Sequence, residues 1–338
     1  MPQPAPVLVA RPGSDPFWKA PGHDMVTYFH NVPEYLVLGI TRGSMYALIA
    51  LGYTLVYGVL QLINFAHSEV FMSGAFGSYL VVHAVVGDGS GTPAWAVPFV
   101  ILIGLLTGAL TGAIVAWTLE RVAYRPLRRR NAPKLAFLIS AIGASFFLSQ
   151  LAGKMFNRLT NNNMPTYFDR NNVVFTVAGA DVRVLQLVIV GAAVVLMVFL
   201  DRLVNGTKLG RSIRGVAEDA PTAALMGINI DKTISRTFVI GGALGGAAGF
   251  LFGSYFTFYN TMGFVPGIKA FAAAVLGGIG NIRGAMIGGL LLGIVENLVP
   301  TLPFIGTQWT DVVAFAVLVL VLVVRPTGIL GERLGRAA

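Results

Sequence analysis

The 338-residue chain has no cysteine and few charges. Without cysteine there is no disulfide framework, no thiolate metal site and no thiol nucleophile. Charged residues make up 12%, about half of what a soluble chain carries. No GxxxxGK[ST] loop is present, so the chain has no phosphate cradle for ATP; Gly277-Gly278-Ile279-Gly280 is followed by Asn281 and lacks the lysine and hydroxyl. Only four histidines occur, at 23, 30, 67 and 83, and no HExxH, which gives a metalloprotease no support.

Apolar residues are abundant. They make up 55% of the chain, with a mean hydropathy of +0.73, and fall in blocks of the length a helix needs to cross a bilayer. Nine segments can be drawn, at 35–60, 64–86, 97–119, 135–151, 184–200, 237–256, 264–280, 284–299 and 309–324. Helices satisfy their own backbone in lipid, so the expected fold is all-α and polytopic, with about 8–10 transmembrane or re-entrant helices. The connections near Gln61–Ile63 and Asn281–Arg283 are too short to leave the membrane far behind, which points to broken or re-entrant helices beside them. Residues 1–33 carry seven prolines and read as an irregular or interfacial tail ahead of a transmembrane domain spanning 34–338.

The net charge of +9 needs no nucleic-acid partner, because Lys and Arg collect in cytoplasmic loops. Residues 120–134 hold six basic residues and 201–236 hold six more. With Arg283, Arg325, Arg333 and Arg336 they place 16 of the 24 basic residues on one side. That side is the cytoplasm, and loops 152–183 and 300–308 fall outside. Nine crossings put the N-terminus outside, mildly against Arg11, Lys19 and Arg42.

Glycine, at 41 residues, is patterned. Gly241, Gly245, Gly249 and Gly253 form one ladder; Gly104, Gly108, Gly112 and Ala116 form another. Each is a flat strip that a second helix backbone can approach.

A polar island at 210–229, GRSIRGVAEDAPTAALMGIN, interrupts the apolar pattern. Asp219 is placed to cap a short helix starting at Ala220-Pro221. Gly227 and Asn229 suit its end, and Asp231 suits the cap of the next membrane helix. Two short helices are expected, about 211–217 and 220–227. Ala220, Ala223, Ala224 and Gly227 share a small-residue face, flanked by Arg211, Arg214, Glu218 and Asp219. Such a face suits a partner's groove; the alternative is a solvated linker on lipid headgroups.

Two polar groups lie inside apolar surroundings. In NFAHSE (64–69), Asn64, His67 and Ser68 share a face of an ideal helix, whereas Glu69 lies about 200° from His67, which argues against a His–Glu relay or metal site. A capped hydrogen-bond network is one role; lining a path through the membrane near its cytoplasmic mouth is the other, since an ionisable group inside a membrane domain is a site candidate. Lys269 and Glu296 are equidistant from the turn at 281–283, so a hairpin brings them to similar depth in the outer third of the membrane, where they are expected to pair. Alternatively each reaches the outer interface separately, with Pro266 and Gly267 bending the first segment out of register.

RSIRGVAEDAPTAALMGINIDK (211–232) resembles the cytoplasmic coupling loop of ABC importer permeases. GSMYALIALGYTLVYGVLQLINFAHSEVFMSGAF (43–76) and AAAVLGGIGNIRGAMIGGLLLGIVE (272–296) extend the resemblance to the H-type permease subunit of branched-chain amino acid importers. Ser68 stands where such permeases more often have glycine. The resemblance implies a bacterial cytoplasmic (inner) membrane protein that binds no cofactor, ATP being used by two cytoplasmic ATPase subunits. It also implies a non-identical second permease and an extracytoplasmic substrate-binding protein. Permeases for urea or short-chain amides are similar; an ion-coupled secondary transporter would also use broken helices but has no need of a docking loop, and a passive channel for small amides or urea would be gated without ATP.

Overall fold

The computed structural model describes residues 25–87, 89, 92–156, 164–165, 172–302 and 305–331. Each of the nine apolar segments contains one helix. The helices are α1 (Met25–Leu60), α2 (His67–Val86), α3 (Val97–Leu119), α5 (Lys134–Met155), α6 (Val184–Gly206), α9 (Ile230–Tyr255), α10 (Phe264–Gly277), α11 (Ile282–Leu298) and α12 (Thr310–Val324). Among the described residues seven helices are long and apolar enough to cross a membrane; α10 and α11 are shorter. They form the close hairpin expected around Asn281, whose side chain caps α11 by accepting from the Gly284 amide at 3.1 Å. Short helices α4 (Arg125–Arg129), α7 (Lys208–Glu218) and α8 (Ala220–Leu225) lie between the spans.

One expectation is corrected: α1 begins at Met25, inside the stretch read as an irregular tail, and carries Pro33 within it. Proline costs a helix one hydrogen bond and a steric clash, but a long apolar helix packed along its length absorbs that. Residues 1–24 lie outside the described residues. The connection between α5 and α6 contains an antiparallel hairpin, β1 (Val173–Val177) and β2 (Ala180–Arg183), pairing Val177 with Ala180. Its turn, Ala178-Gly179, has both φ angles positive (50° and 88°), the twist a two-residue hairpin prefers.

The core is built around α1, whose residues Met45 to Leu51 are almost wholly buried. α9 packs on α1, α2 and α3, and α11 packs on α1. Both glycine ladders are contact strips, but they do not face each other. The α3 ladder meets Gly242 and Gly246, which lie one residue along α9 from the ladder read in the sequence. Gly241 and Gly245 turn instead to α1 and His67, and Gly249 to α2. A Cβ on Gly246 would run into the Gly108 carbonyl, so α3 and α9 touch backbone to backbone there.

One feature sets the position of the site: α2 starts part-way across the bundle. Its first residue, His67, lies against Gly52, about two turns before the end of α1, and against Gly245 near the middle of α9. Residues 61–66 are not a regular helix. Asn64 and Ala66 within this stretch are buried in protein, where irregular backbone is tolerated. Asn64 accepts from the Ala66 amide at 3.1 Å and from the Tyr124 hydroxyl at 2.6 Å. Tyr124 belongs to a π-helical turn, Glu120–Tyr124, that extends α3 into α4.

Candidate functional site: a helical hairpin and a mid-bundle groove

The island folds as the expected helical pair. Asp219 caps α8 through the Thr222 amide at 3.2 Å and also accepts from the Thr222 hydroxyl. Both bonds favour the carboxylate and hold the Asp219 pKa below its ordinary value. Gly227 ends α8 with φ at 82°, a left-handed conformation that glycine adopts without a side-chain clash. On α7, Gly210, Ile213 and Val216 are buried, the last two in one apolar cluster with Val56, Val59, Ile234 and Phe238, so the pair is held on the ends of α1 and α9.

Three details differ from the sequence reading. Arg214 is turned back to the end of α6, donating to the Val204 carbonyl at 2.5 Å and to Asn205 at 3.1 Å; it satisfies an orphan helix carbonyl instead of flanking an open face. The cap of α9 is Asn229, which accepts from the Lys232 amide at 2.9 Å, not Asp231. Asp231 instead ties α9 to the basic loop, with Arg128 at 2.6 Å, Arg125 at 3.0 Å and Arg129 at 3.3 Å. The small-residue face is also divided: Ala223 is buried and Ala220 half-buried against the protein, while Ala224 and Gly227 are exposed with Arg211 and Asp219. What the hairpin presents outward is Leu225, 88% exposed, and Met226, 79% exposed. The small-residue repeat thus marks a face partly turned to the protein, and the large exposed side chains of α8 and its end are the two apolar ones next to Gly227.

Deeper in the bundle His67 and Glu69 diverge, as their helical spacing requires. The buried His67 packs edge-on against Tyr53, with ring centroids 4.9 Å apart. Asn64 does not share its face, since it precedes the helix and is spent on the Ala66–Tyr124 bonds. Glu69 is turned to a cavity of about 570 Å³ between α2, α5 and the segment leading into α10. Its Oε1 accepts from Ser145 at 3.2 Å, and its Oε2 has no hydrogen-bond partner among the described residues. Tyr53, Ser68, Ser149, Tyr259 and Thr261 add polar atoms to a wall otherwise made by Phe65, Ile142, Phe146, Phe264, Val265 and Ile268. Nothing in the sequence marked Ser145 or Ser149, because a serine in an apolar helix usually bonds its own backbone.

The Lys269–Glu296 pair forms, with Nζ–Oε1 at 2.8 Å and both side chains buried. It is part of a larger cluster. Lys269 also meets Asp311 of α12 at 2.6 Å, and Glu296 meets Arg42 of α1 at 3.3 Å and the Tyr46 hydroxyl at 3.3 Å. The cluster sits behind α10, away from the Glu69 groove, and its two cations balance its two carboxylates. A lone acid at the start of an apolar run, Asp311, was the available hint of a third member.

The match to known proteins settles which kind of transporter this scaffold belongs to. Residues 35–322 fit the family model described as branched-chain amino acid transport system / permease component. The chain belongs to this family of permeases. It is 43% identical over 301 residues to the high-affinity branched-chain amino acid transport system permease protein LivH of Salmonella typhimurium, covering 87% of this chain and 94% of that one. It is 43% identical over 303 residues to BraD of Pseudomonas aeruginosa, covering 88% and 95%. The probable branched-chain amino acid transport permease LivH of Methanocaldococcus jannaschii is 27% identical over 299 residues, covering 86% and 90%. The permease is thus a multi-pass protein of the cytoplasmic membrane and the membrane component of an ABC-type transporter.

Proposed function

We propose that the permease carries branched-chain amino acids inward by alternating access, driven by ATP hydrolysis in two separate cytoplasmic ATPase subunits. It pairs with a second, non-identical permease, and an extracytoplasmic binding protein delivers the substrate. The chain itself binds no cofactor. The observation that carries the coupling half of this reading is the exposed Leu225–Met226 tip on a hairpin otherwise anchored in the core. An apolar pair this exposed on a polar cytoplasmic loop is the kind of anchor that fills a pocket on a partner.

The geometry supplies a route for the motion. Only Met226, Gly227, Ile228 and Asn229 separate α8 from α9. A push on α8 therefore reaches α9 directly, and α9 packs along α1, α2 and α3 up to the level of His67 and Glu69. The apolar groove wall suits a branched aliphatic side chain better than urea or a short amide. The test replaces both tip residues with aspartate. Both are outside the core, so the variant is expected to assemble with the second permease yet lose ATPase co-purification and uptake. Normal uptake with full ATPase retention would sink the docking assignment.

A further inference from the structure

We infer that Glu69 is the receptor for the substrate's α-ammonium group, and that the groove around it is the half of an amino-acid site contributed by this chain. The inference deepens the proposed function and rests on it. Glu69 is 2% exposed and stands on the wall of the cavity, with Ser145 holding one oxygen at 3.2 Å and the other accepting no hydrogen bond from the described residues. A buried carboxylate left with an unused oxygen is costly unless a donor arrives, and an ammonium group brings three. Among the described residues no Lys, Arg or His side chain lines the cavity, so the charge it recognises is cationic.

The remainder of the wall fits the other end of the same molecule. Ile142, Phe146, Val265 and Ile268 form an apolar surface beside the carboxylate, matched to a branched aliphatic side chain. Phe146 and Phe264 are largely exposed and Ile142 partly so, and the groove opens on the side of the bundle with one wall missing. A zwitterion bound here has its ammonium on Glu69 and its side chain against α5 and α10. Its carboxylate finds no basic side chain among the described lining residues and points to the open side, where the second permease must supply the donors. This division explains why a half-site with one charge can handle a ligand with two.

The test uses the complete permease–ATPase complex in lipid nanodiscs with the binding protein left out, so that competitors act on the membrane part alone. A leucine analogue with a side-chain diazirine is photo-activated and its attachment sites are mapped. Labelling is expected on Ile142, Phe146, Val265 or Ile268. Leucine and 3-methylbutylamine, which keeps the ammonium and lacks the carboxylate, should compete; 4-methyl-2-oxopentanoate, which lacks the ammonium, should not. Glu69→Gln should lower groove labelling about tenfold or more, the scale of losing a charge-assisted hydrogen bond. Phe146→Ala keeps the carboxylate and should shift competition towards bulkier amino acids, which decides the matter if Glu69→Gln does not assemble. Label falling elsewhere, equal competition by the oxo acid, or a groove labelled by a diazirine-bearing phospholipid but not by the amino acid would each overturn the assignment. Failure of the intact importer to take up leucine at all would strike the proposed function instead.

Discussion

Charge inversion of the Lys269–Glu296 pair is the sharpest test of the packing between α1, α10, α11 and α12. Lys269→Glu puts a third carboxylate beside Glu296 and Asp311; Glu296→Lys puts a third cation beside Lys269 and Arg42. Breaking a buried pair by losing one partner costs about 3–5 kcal/mol, and facing like charges adds to that. Each single variant is therefore expected to lower the melting temperature of the purified complex and to reduce uptake severely. The double swap restores the central attraction but leaves two repulsions. The new carboxylate on α10 faces Asp311, and the new ammonium on α11 faces Arg42. Unit charges about 4 Å apart interact by about 4 kcal/mol at an effective dielectric of 20. The Asp311 side chain is 61% exposed, so solvent screens that repulsion well below this value; Arg42, at 28%, is screened less. Partial rescue follows: the double swap melts above either single variant and clearly below the native protein, and adding Arg42→Gln recovers more than adding Asp311→Asn. Complete rescue by the double swap alone would show that Arg42 and Asp311 are not coupled to the pair. Strictly additive damage would show that the pair contributes nothing.

Two further outcomes follow from other parts of the bundle. Gly246→Val drives side-chain atoms into the Gly108 and Gly112 backbones and should abolish assembly, whereas Gly191→Ala, with open space where the methyl would stand, should leave expression and uptake unchanged; equal tolerance at both sites would refute backbone contact between α3 and α9. Because hydrogen bonds depress the Asp219 pKa below its ordinary 3.8, the cap's contribution is fully present above that value and is lost only as pH falls through the lower folded value. Amide exchange in Thr222–Leu225 should accordingly be flat between about pH 5 and 8 once corrected for intrinsic rates, rise in Asp219→Ala and stay near native in Asp219→Asn; a native transition inside that range would contradict the capping geometry.

What could be read from the sequence followed from rules that act within one segment. Apolar length gave nine helices, Asp219, Pro221 and Gly227 punctuated the island, and symmetry about the 281–283 turn brought Lys269 to Glu296. The offset of about 200° between His67 and Glu69 correctly sent them to different faces. The misses depend on which segment meets which. Two overlapping glycine ladders on α9 are equally good contact strips, and only three-dimensional packing assigns one to α3 and the other to α1 and α2. Asp231 had the composition of a helix cap, yet three arginines from a distant loop, at 125, 128 and 129, claim it. Arg214 looked like part of a charged rim until the end of α6 presented it with an unpaired carbonyl.

The open side of the Glu69 groove bears on how much of this chain a cell can keep. In the proposed arrangement a second permease covers α5; until it does, the groove opens towards acyl chains, and the polar groups of Glu69, Ser145 and Ser149 on its wall are less well enclosed than in the assembly, which is costly for polar atoms bordering hydrocarbon. An orphan copy is thus held in a less stable state than an assembled one and offers membrane proteases a longer-lived target. Stoichiometry would then be enforced after synthesis as well as during it: copies made in excess of the partner are cleared, and the matched ones persist.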